Sequence, residues 1–326
     1  MRILFLALLG ALFGAAGAAA WAQGAAAGYP SKTIRFVLPY PPGGGTDTIA
    51  RPLAQRLTEA LGQQVVVENR GGAGGAIGME VVARTAPDGY TIVLAVTAQL
   101  AVNVSLYKRL PYDPVRDYAP ITLLATGPYL LVVHPSLPVK SVKELIALAR
   151  ARPGDLTYAS SGNGSGGHLA AALMNSMAGI KMLHVPYKGG GPALVDVLAG
   201  QVQILFATYA ASRGHIQSGR VRALGVSTAK RPAALPDLPT IAESGLPGYD
   251  SGVWYGILAP AGTPREIVAK LNGEMIRALN HPEFRNLLVN GGIDPIGSTP
   301  EELGRYIKSE IAKWAKVVKD AGVRID

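Results

Sequence analysis

Cysteine is absent from all 326 residues of this chain, and its absence removes several kinds of chemistry at once. Without a thiol the protein has no disulfides, no thiolate nucleophile, no cysteine metal ligand and no lipid-modified cysteine anchor. Histidine is scarce as well, and the five histidines include neither an H-x-x-x-H nor an H-E-x-x-H spacing. Such spacings mark zinc sites, so we expect neither a metal nor a cofactor.

Clusters of basic residues are also missing. The formal net charge is +9, yet the lysines and arginines form nothing longer than pairs such as Lys108-Arg109 and Lys230-Arg231. Nucleic-acid-binding domains concentrate such residues on one face or along one helix. We therefore predict no nucleic-acid partner.

Long apolar runs are missing beyond the N-terminus. Residues 1–22 have a charged start, an apolar stretch from Ile3 to Phe13 and an A-x-A site at residues 20–22, which is the pattern of a secretory signal peptide. The alternative, a membrane anchor, would need about 20 apolar residues, roughly twice this stretch. We predict cleavage near Ala22, an extracytoplasmic location and no stable membrane insertion after cleavage.

The remainder of the chain is rich in apolar residues. Hydrophobic residues make up 48% of the chain and charged residues 16%, proportions typical of a well-packed globular protein. The length exceeds the roughly 250–300 residues at which a single hydrophobic core stops growing. Two domains are therefore expected.

The stretch from Thr33 to Ala54 predicts an anion site. An apolar run, residues 34–38, leads through a proline and glycine turn into a helical pattern that opens at Thr46-Asp47. A strand that turns through glycines into a helix aims unpaired backbone N–H groups and a positive helix end at one point. We call residues 39–47 the first loop, and such a point favours a bound anion.

Strands and helices alternate after the first loop, which predicts a parallel sheet. Asn69-Arg70 and Thr97 follow the next two predicted strands, so they lie with the first loop on the rim where α/β sheets bind ligands. We place a crossover to a second domain at Thr126-Gly127-Pro128 and the return within residues 221–228. The predicted organisation is a signal peptide (1–22), lobe 1 (23–125 plus 226–326) and lobe 2 (126–225).

The second lobe repeats the same device. A predicted strand ending at Ala159 breaks into residues 160–168, the second loop, and a helix is predicted from His168 to about Ala178. The loop contains G-x-G-x-x-G, but no Asp or Glu stands between Asp155 and Asp196 to bind a ribose, which argues against a dinucleotide. The first loop has no lysine in the position that a P-loop requires.

Ser165 and His168 raise the alternative of a secreted hydrolase, since they stand three residues apart at one predicted helix start. No serine of the chain lies in a G-x-S-x-G elbow, and we favour Ser165 as a helix cap. Capping boxes are also predicted at Ser141-Val142-Lys143-Glu144, Thr263-Pro264-Arg265-Glu266 and Thr299-Pro300-Glu301-Glu302.

A series of motifs covers essentially the whole mature chain in a fixed order: residues 29–35, 41–51, 67–75, 87–90, 110–114, 160–168, 184–190, 235–237 and 259–264. In this order they resemble the Bug-type solute receptors of tripartite tricarboxylate transporters. The chain departs from the family pattern at Gln99, in a segment where the family often has His-Ala leading to Asn-Pro, and at Gln203, where Asp is common.

The resemblance implies a two-lobed α/β periplasmic binding protein (type II, Venus-flytrap), each lobe a mainly parallel sheet flanked by helices. It implies no enzyme activity, a small carboxylate ligand, and transient docking to integral-membrane transporter subunits driven by an ion gradient; a membrane sensor is the alternative partner. We expect a monomer. The ligand stays open between an aliphatic di- or tricarboxylate, an acidic amino acid and an aromatic acid. The predicted ligand-binding residues are Tyr40, Gly43, Gly44, Gly45, Thr46, Asp47, Thr97, Ser160, Ser161, Gly162, Gly164, Ser165, His168, Tyr187 and Lys188.

Overall fold

The computed structural model describes residues 28–43 and 45–321, so the predicted signal peptide and Gly44 lie outside the described residues. Its strands are β1 (Ile34–Leu38), β2 (Val65–Asn69), β3 (Thr91–Val96), β4 (Tyr118–Val133), β5 (Thr157–Ser160), β6 (Leu183–Pro186), β7 (Ile204–Thr208), β8 (Arg222–Val226), β9 (Gly252–Pro260) and β10 (Asp294–Pro295).

The helices connect and cover these strands. They are α1 (Asp47–Leu61), α2 (Ala76–Ala83), α3 (Asn103–Leu106), α4 (Val142–Ala151), α5 (Gly166–Ala178), α6 (Gly190–Leu198), α7 (Tyr209–Gln217), α8 (Arg265–Asn280), α9 (Pro282–Asn290) and α10 (Pro300–Ala321). No helix in the described part of the chain combines the length and apolarity needed to cross a membrane.

The sheet is mixed, and the helices flank it in an α/β architecture with two lobes. The strand order is β2-β1-β3-β9-β4-β7-β5-β6, with β8 and β10 also paired to β4. Two parallel groups, β2-β1-β3 and β6-β5-β7, lie at the two ends. The strands between them, β9 and β4, pair antiparallel with their neighbours. The parallel groups are the predicted strand–helix–strand units.

One strand connects both lobes. The sequence predicts two strands separated at Thr126-Gly127-Pro128, but β4 runs without interruption through these residues, so the predicted break is wrong. β9 pairs with the whole segment, with Gly127 opposite Val253 and Pro128 opposite Gly252. On the other edge of β4, pairing changes from β10 to β7 between Thr126 and Tyr129. Pro128 has no backbone N–H, so it is tolerated at this point, where the hydrogen-bonded pairing on that edge is interrupted.

Four hydrophobic clusters fill the two faces of the sheet, and we name each after its main helix. The α1 cluster contains Phe36, Leu53 and Tyr255, and the α10 cluster contains Trp254 and Trp314. The α5 and α6 clusters cover the two faces of the second lobe. Apolar side chains at period two in the strands and at three- or four-residue spacing in the helices account for these faces.

Several cluster members cross the chain boundaries predicted for the lobes. Ile241 and Tyr249 pack in the α5 cluster with the second lobe, although the sequence assigns them to lobe 1. Leu169, in the first turn of α5, packs in the α10 cluster with Trp254 of β9. The start of α5 therefore lies against the first lobe, which positions the second loop.

Local capping follows the predicted pattern at three of four helices. Ser141, Ser165 and Thr299 each accept a hydrogen bond from the backbone N–H three residues ahead. The prediction for Thr263 is wrong, because Pro264 occupies the N-cap of α8 and the Thr263 hydroxyl donates backwards to the Pro260 carbonyl. α1 continues through Pro52.

Candidate functional site

The second loop is held in shape by its own side chains. Ser160 is fully buried, and its Oγ accepts from the Gly162 N–H at 3.1 Å and lies 2.6 Å from His184 Nε2. The Gly164 N–H donates to His168 Nδ1 at 3.0 Å. Gly162 and Gly164 both have positive φ, a conformation that glycine adopts at little cost. The loop therefore presents the first turn of α5 in a fixed direction.

Two stacked imidazoles lie beneath the second loop. The rings of His168 and His184 are 3.9 Å apart and 5° from parallel, and Tyr158 stacks on His184 at 4.9 Å. Burial lowers the pKa of each histidine to about 4, and for His168 the charge of His184 lowers it further. Both rings are therefore neutral near pH 7. Because Nδ1 of His168 accepts a hydrogen bond, its proton lies on Nε2.

The hydrolase alternative does not match this geometry. Ser165 Oγ accepts from the backbone N–H of His168, whereas the His168 imidazole accepts from Gly164. The other serine–histidine pair, Ser160 and His184, has a serine with no exposed surface and a histidine whose pKa is lowered. A buried hydroxyl beside a weak base is a poor nucleophile.

The first loop combines exposed glycines with a buried helix start. Gly43, with φ of 86°, and Gly45 are exposed, while Thr46 and Asp47 are buried. The Asp47 carboxylate accepts from Arg51 at 3.0 Å and from Asn69 at 3.3 Å. Asp47 thus fixes the first turn of α1, and its carboxylate already has donors of its own.

Tyr40 is held by Gln99, the residue at which the chain departs from the family pattern. The Tyr40 hydroxyl donates to Gln99 Oε1 at 3.1 Å and accepts from Nε2 at 2.8 Å. Gln99 also accepts from the Val96 N–H and donates to the Gly74 carbonyl. Burial raises the pKa of Tyr40 to about 12. The single phenolic proton of Tyr40 is therefore committed within the protein.

Thr97 and Tyr187 also use their polar groups internally. Thr97 Oγ1 accepts from the Trp254 N–H at 3.1 Å, and the Tyr187 hydroxyl donates to Asp196 at 2.6 Å. The Tyr187 N–H bonds to the Ser160 carbonyl, which brings this turn beside the second loop. Ser161 and Lys188 are exposed.

Two tyrosines that the sequence did not assign to the site lie between the loops. Tyr129 packs against both the α1 and the α5 clusters, so it stands between the lobes. A methyl group at Gly166 would overlap the Tyr129 hydroxyl oxygen. Tyr255 of β9 stands opposite Val96, the residue before Thr97. Burial raises the pKa of Tyr129, and the nearby phenols of Tyr255 and Tyr40 raise it further.

The predicted residues thus fall into groups. Six of them form one hydrogen-bonded unit in the second lobe: Ser160, Gly162, Gly164, Ser165, His168 and Tyr187. Tyr40 of the first loop lies near Tyr129, and the Tyr129 hydroxyl lies against Gly166 at the start of α5. The sequence alone could not identify Tyr129 as a residue of the site, because its position where β4 passes from one lobe to the other depends on the tertiary fold.

A separate concave surface lies on the outside of the second lobe. Its volume is about 650 Å³, and α7 and residues 234–238 form much of its lining. Residues of the two loops do not line it. The candidate site therefore remains the region between the loops, where helix starts, glycines and phenols meet.

The fold and this paired-loop arrangement define a periplasmic solute-binding protein. The family model of the tripartite tricarboxylate transporter family receptor matches residues 49–323. BugT of Bordetella pertussis is 39% identical over 321 residues, which cover 98% of each chain. The chain therefore belongs to the tripartite tricarboxylate transporter receptor family.

Solved structures show the same similarity. R. palustris Rpa4515 with adipate is 41% identical with a TM-score of 0.85, covering 91% of this chain and 99% of that one. MatC from Rhodopseudomonas palustris with bound malate is 34% identical with a TM-score of 0.80, covering 89% of this chain and all of that one. Adipate and malate are both dicarboxylates.

Proposed function

We propose that this protein is an extracytoplasmic receptor that binds a small carboxylate between the first and second loops and delivers it to an ion-gradient-driven tripartite tricarboxylate transporter. The observation that carries the proposal is the pair of glycine loops, each opening a helix toward the region between the lobes. The binding of adipate and malate by similar proteins supports the same ligand class.

The local electrostatics support an anion held by neutral donors. His168 and His184 are uncharged near pH 7, and the Arg51 guanidinium is paired with Asp47. In the first turns of α1 and α5, the N–H groups of Ile49 and His168 already bond to Thr46 and Ser165. The N–H groups ahead of them, at Asp47, Thr48, Gly166 and Gly167, have no intrahelical acceptor. We infer that these N–H groups, with the hydroxyls around them, bind the carboxylate.

The expected affinity follows from the number of these contacts. Hydrogen bonds to a charged group are worth roughly 1.5–3 kcal/mol each, and a helix N-terminus adds about 0.3–1 kcal/mol. Four or five contacts, less the free-energy cost of immobilising the ligand, can reach the ~8 kcal/mol of micromolar binding. Binding of this kind involves no bond breaking, so we propose that the protein is not an enzyme.

Thermal unfolding of residues 23–326 with a panel of ligands tests the proposal. The panel contains adipate, malate, citrate, glutamate and benzoate, with glucose as the neutral control. A ligand at about 100 times its dissociation constant should stabilise the fold by ~2.7 kcal/mol. A shift with glucose and none with any acid would contradict carboxylate binding.

The location and partners belong to the same proposal. We propose export, cleavage near Ala22, action as a monomer in the periplasm and transient docking to membrane subunits. Uptake of a labelled ligand by cells that hold the permease should require this chain. Unchanged uptake after its deletion would argue against delivery to the permease, and would leave a membrane sensor as the partner.

A further inference from the structure

Tyr129 and Tyr255 combine a hydroxyl without a partner with a position at the candidate site. Within the described residues, neither has a hydrogen-bond partner, whereas the Tyr40 proton is committed to Gln99. Tyr255 is only 4% exposed. No buried polar side-chain atom in the described part of the chain lacks a partner, so both hydroxyl oxygens are accessible to solvent. These two hydroxyls are therefore donors available to a molecule between the lobes.

The two hydroxyls lie near each other, but the residues around them belong to different lobes. Tyr129 touches Gly166 in the first turn of α5, so its hydroxyl lies with the free N–H groups of the second loop. Tyr255 is opposite Val96 and Ala125 of the first lobe and packs in the α1 cluster. Tyr129 and Tyr40 also pack against this cluster, so the three aromatic rings border the same apolar residues.

The protonation and hydrogen bonding of these side chains indicate which kind of carboxylate the site favours. A phenol that keeps its proton donates to a carboxylate, and burial raises the pKa of both Tyr129 and Tyr255, so both stay protonated. The nearby carboxylate of Asp47 is already bonded to Arg51 and Asn69, so it offers little to a ligand ammonium group. The aromatic rings that carry these hydroxyls suit a methylene chain better than hydroxyl groups.

We propose that Tyr129 and Tyr255 are specificity-determining residues for a linear α,ω-dicarboxylate, an inference that rests on the proposed carboxylate site. Tyr129 and the first-turn N–H groups of α5 bind one carboxylate, and Tyr255 donates to the other. An acid with a single carboxylate occupies the α5 end, where the helix N-terminus adds to the attraction.

Titration calorimetry with adipate, hexanoate and 2-aminoadipate tests these roles in the full mature chain. Hexanoate keeps the chain length of adipate but lacks the second carboxylate. The variants are Tyr129→Phe and Tyr255→Phe, each of which removes one hydroxyl and keeps the ring. Tyr90→Phe is the matched control, because its hydroxyl bonds to Ser31 on the surface, at the start of β3 rather than at its ligand-facing end.

Each variant has its own expected pattern. Tyr255→Phe should weaken adipate by about tenfold or more, the loss expected for one hydrogen bond to a charged group, and leave hexanoate unchanged. Tyr129→Phe should weaken both acids, and Tyr90→Phe neither. The wild type should prefer adipate to 2-aminoadipate. Circular dichroism of each variant confirms that it is folded.

Several results would overturn the inference. Adipate affinities within about twofold of wild type in both variants, equal losses of adipate and hexanoate in Tyr255→Phe, or a preference for 2-aminoadipate would each contradict it while leaving a carboxylate receptor in place. If the wild type binds none of the three acids or any other carboxylate, the proposed function itself fails.

Discussion

At the scale of single residues, Gly166 is the position where the second loop meets Tyr129. A methyl group there would overlap the Tyr129 hydroxyl oxygen, so Gly166→Ala must displace the phenol or the helix start. We expect a loss of about 1–3 kcal/mol in the free energy of unfolding and weaker carboxylate binding.

Gly214→Ala provides the control for this substitution. Gly214 lies inside α7, and a methyl group there meets no atom within 4 Å. Alanine in a helix interior should stabilise the fold by roughly 0.5–1 kcal/mol. Urea unfolding and calorimetry of both variants measure the two effects. Equal stabilities for Gly166→Ala and wild type would contradict the packing of Tyr129 on α5.

Residue-level prediction from sequence succeeded where the interaction was local. Ser165 was predicted to cap α5 because a cap and its N–H lie three residues apart, and the structure confirms it. Tyr129 and Tyr255 are about 125 residues apart, and nothing local indicates that their hydroxyls share a site. Gln99 was noted as a departure, but its bonds to Tyr40 and Gly74 depend on three separate segments.

At the scale of elements, the stack of His168 on His184 makes the second loop sensitive to acid. Both rings have pKa values of about 4 in the fold, against about 6.5 in an unfolded chain. Between these values the unfolded state binds more protons, so stability falls as pH falls from about 6.5 toward 4 and is unaffected by these groups at higher pH.

The size of this effect can be measured by urea unfolding. For His168 the loss should be roughly 2 kcal/mol at pH 5 relative to pH 7.5, and less for the more exposed His184. His184→Gln, which does not titrate, should reduce the slope of stability against pH. The control Gly214→Ala removes no titratable group and should leave the slope unchanged. The same slope in His184→Gln and wild type would contradict this assignment.

Prediction of elements was strongest for the parallel units and weakest for β4. Strand, glycine loop and helix follow one another in the chain, so β1 with α1 and β5 with α5 could be predicted from their pattern. Gly127 and Pro128 normally end a strand, and only the pairing of β9 across both residues keeps β4 continuous. Helix α7 begins directly after β7 with no separating turn, and it was not predicted.

At the scale of the whole molecule, a continuous strand and buried side-chain contacts join the two lobes, in addition to the proposed ligand. β4 pairs with β9 along its first part and with β7 and β8 along its second. Leu169 of the second lobe packs with Trp254, and the Trp254 indole donates to the buried Glu310 of α10, which also accepts from Trp314. These contacts couple the stability of each lobe to that of the other.

We therefore expect the mature chain to unfold in one cooperative transition. Scanning calorimetry should give equal calorimetric and van't Hoff enthalpies, near 200 kcal/mol for roughly 300 residues. Leu145→Ala, which truncates a buried residue of the α5 cluster, should cost about 2–5 kcal/mol. Because the lobes are coupled, it should lower this transition as a whole. A separate low-temperature transition in Leu145→Ala, or two transitions in the wild type, would show that the lobes unfold independently and that β4 does not couple them.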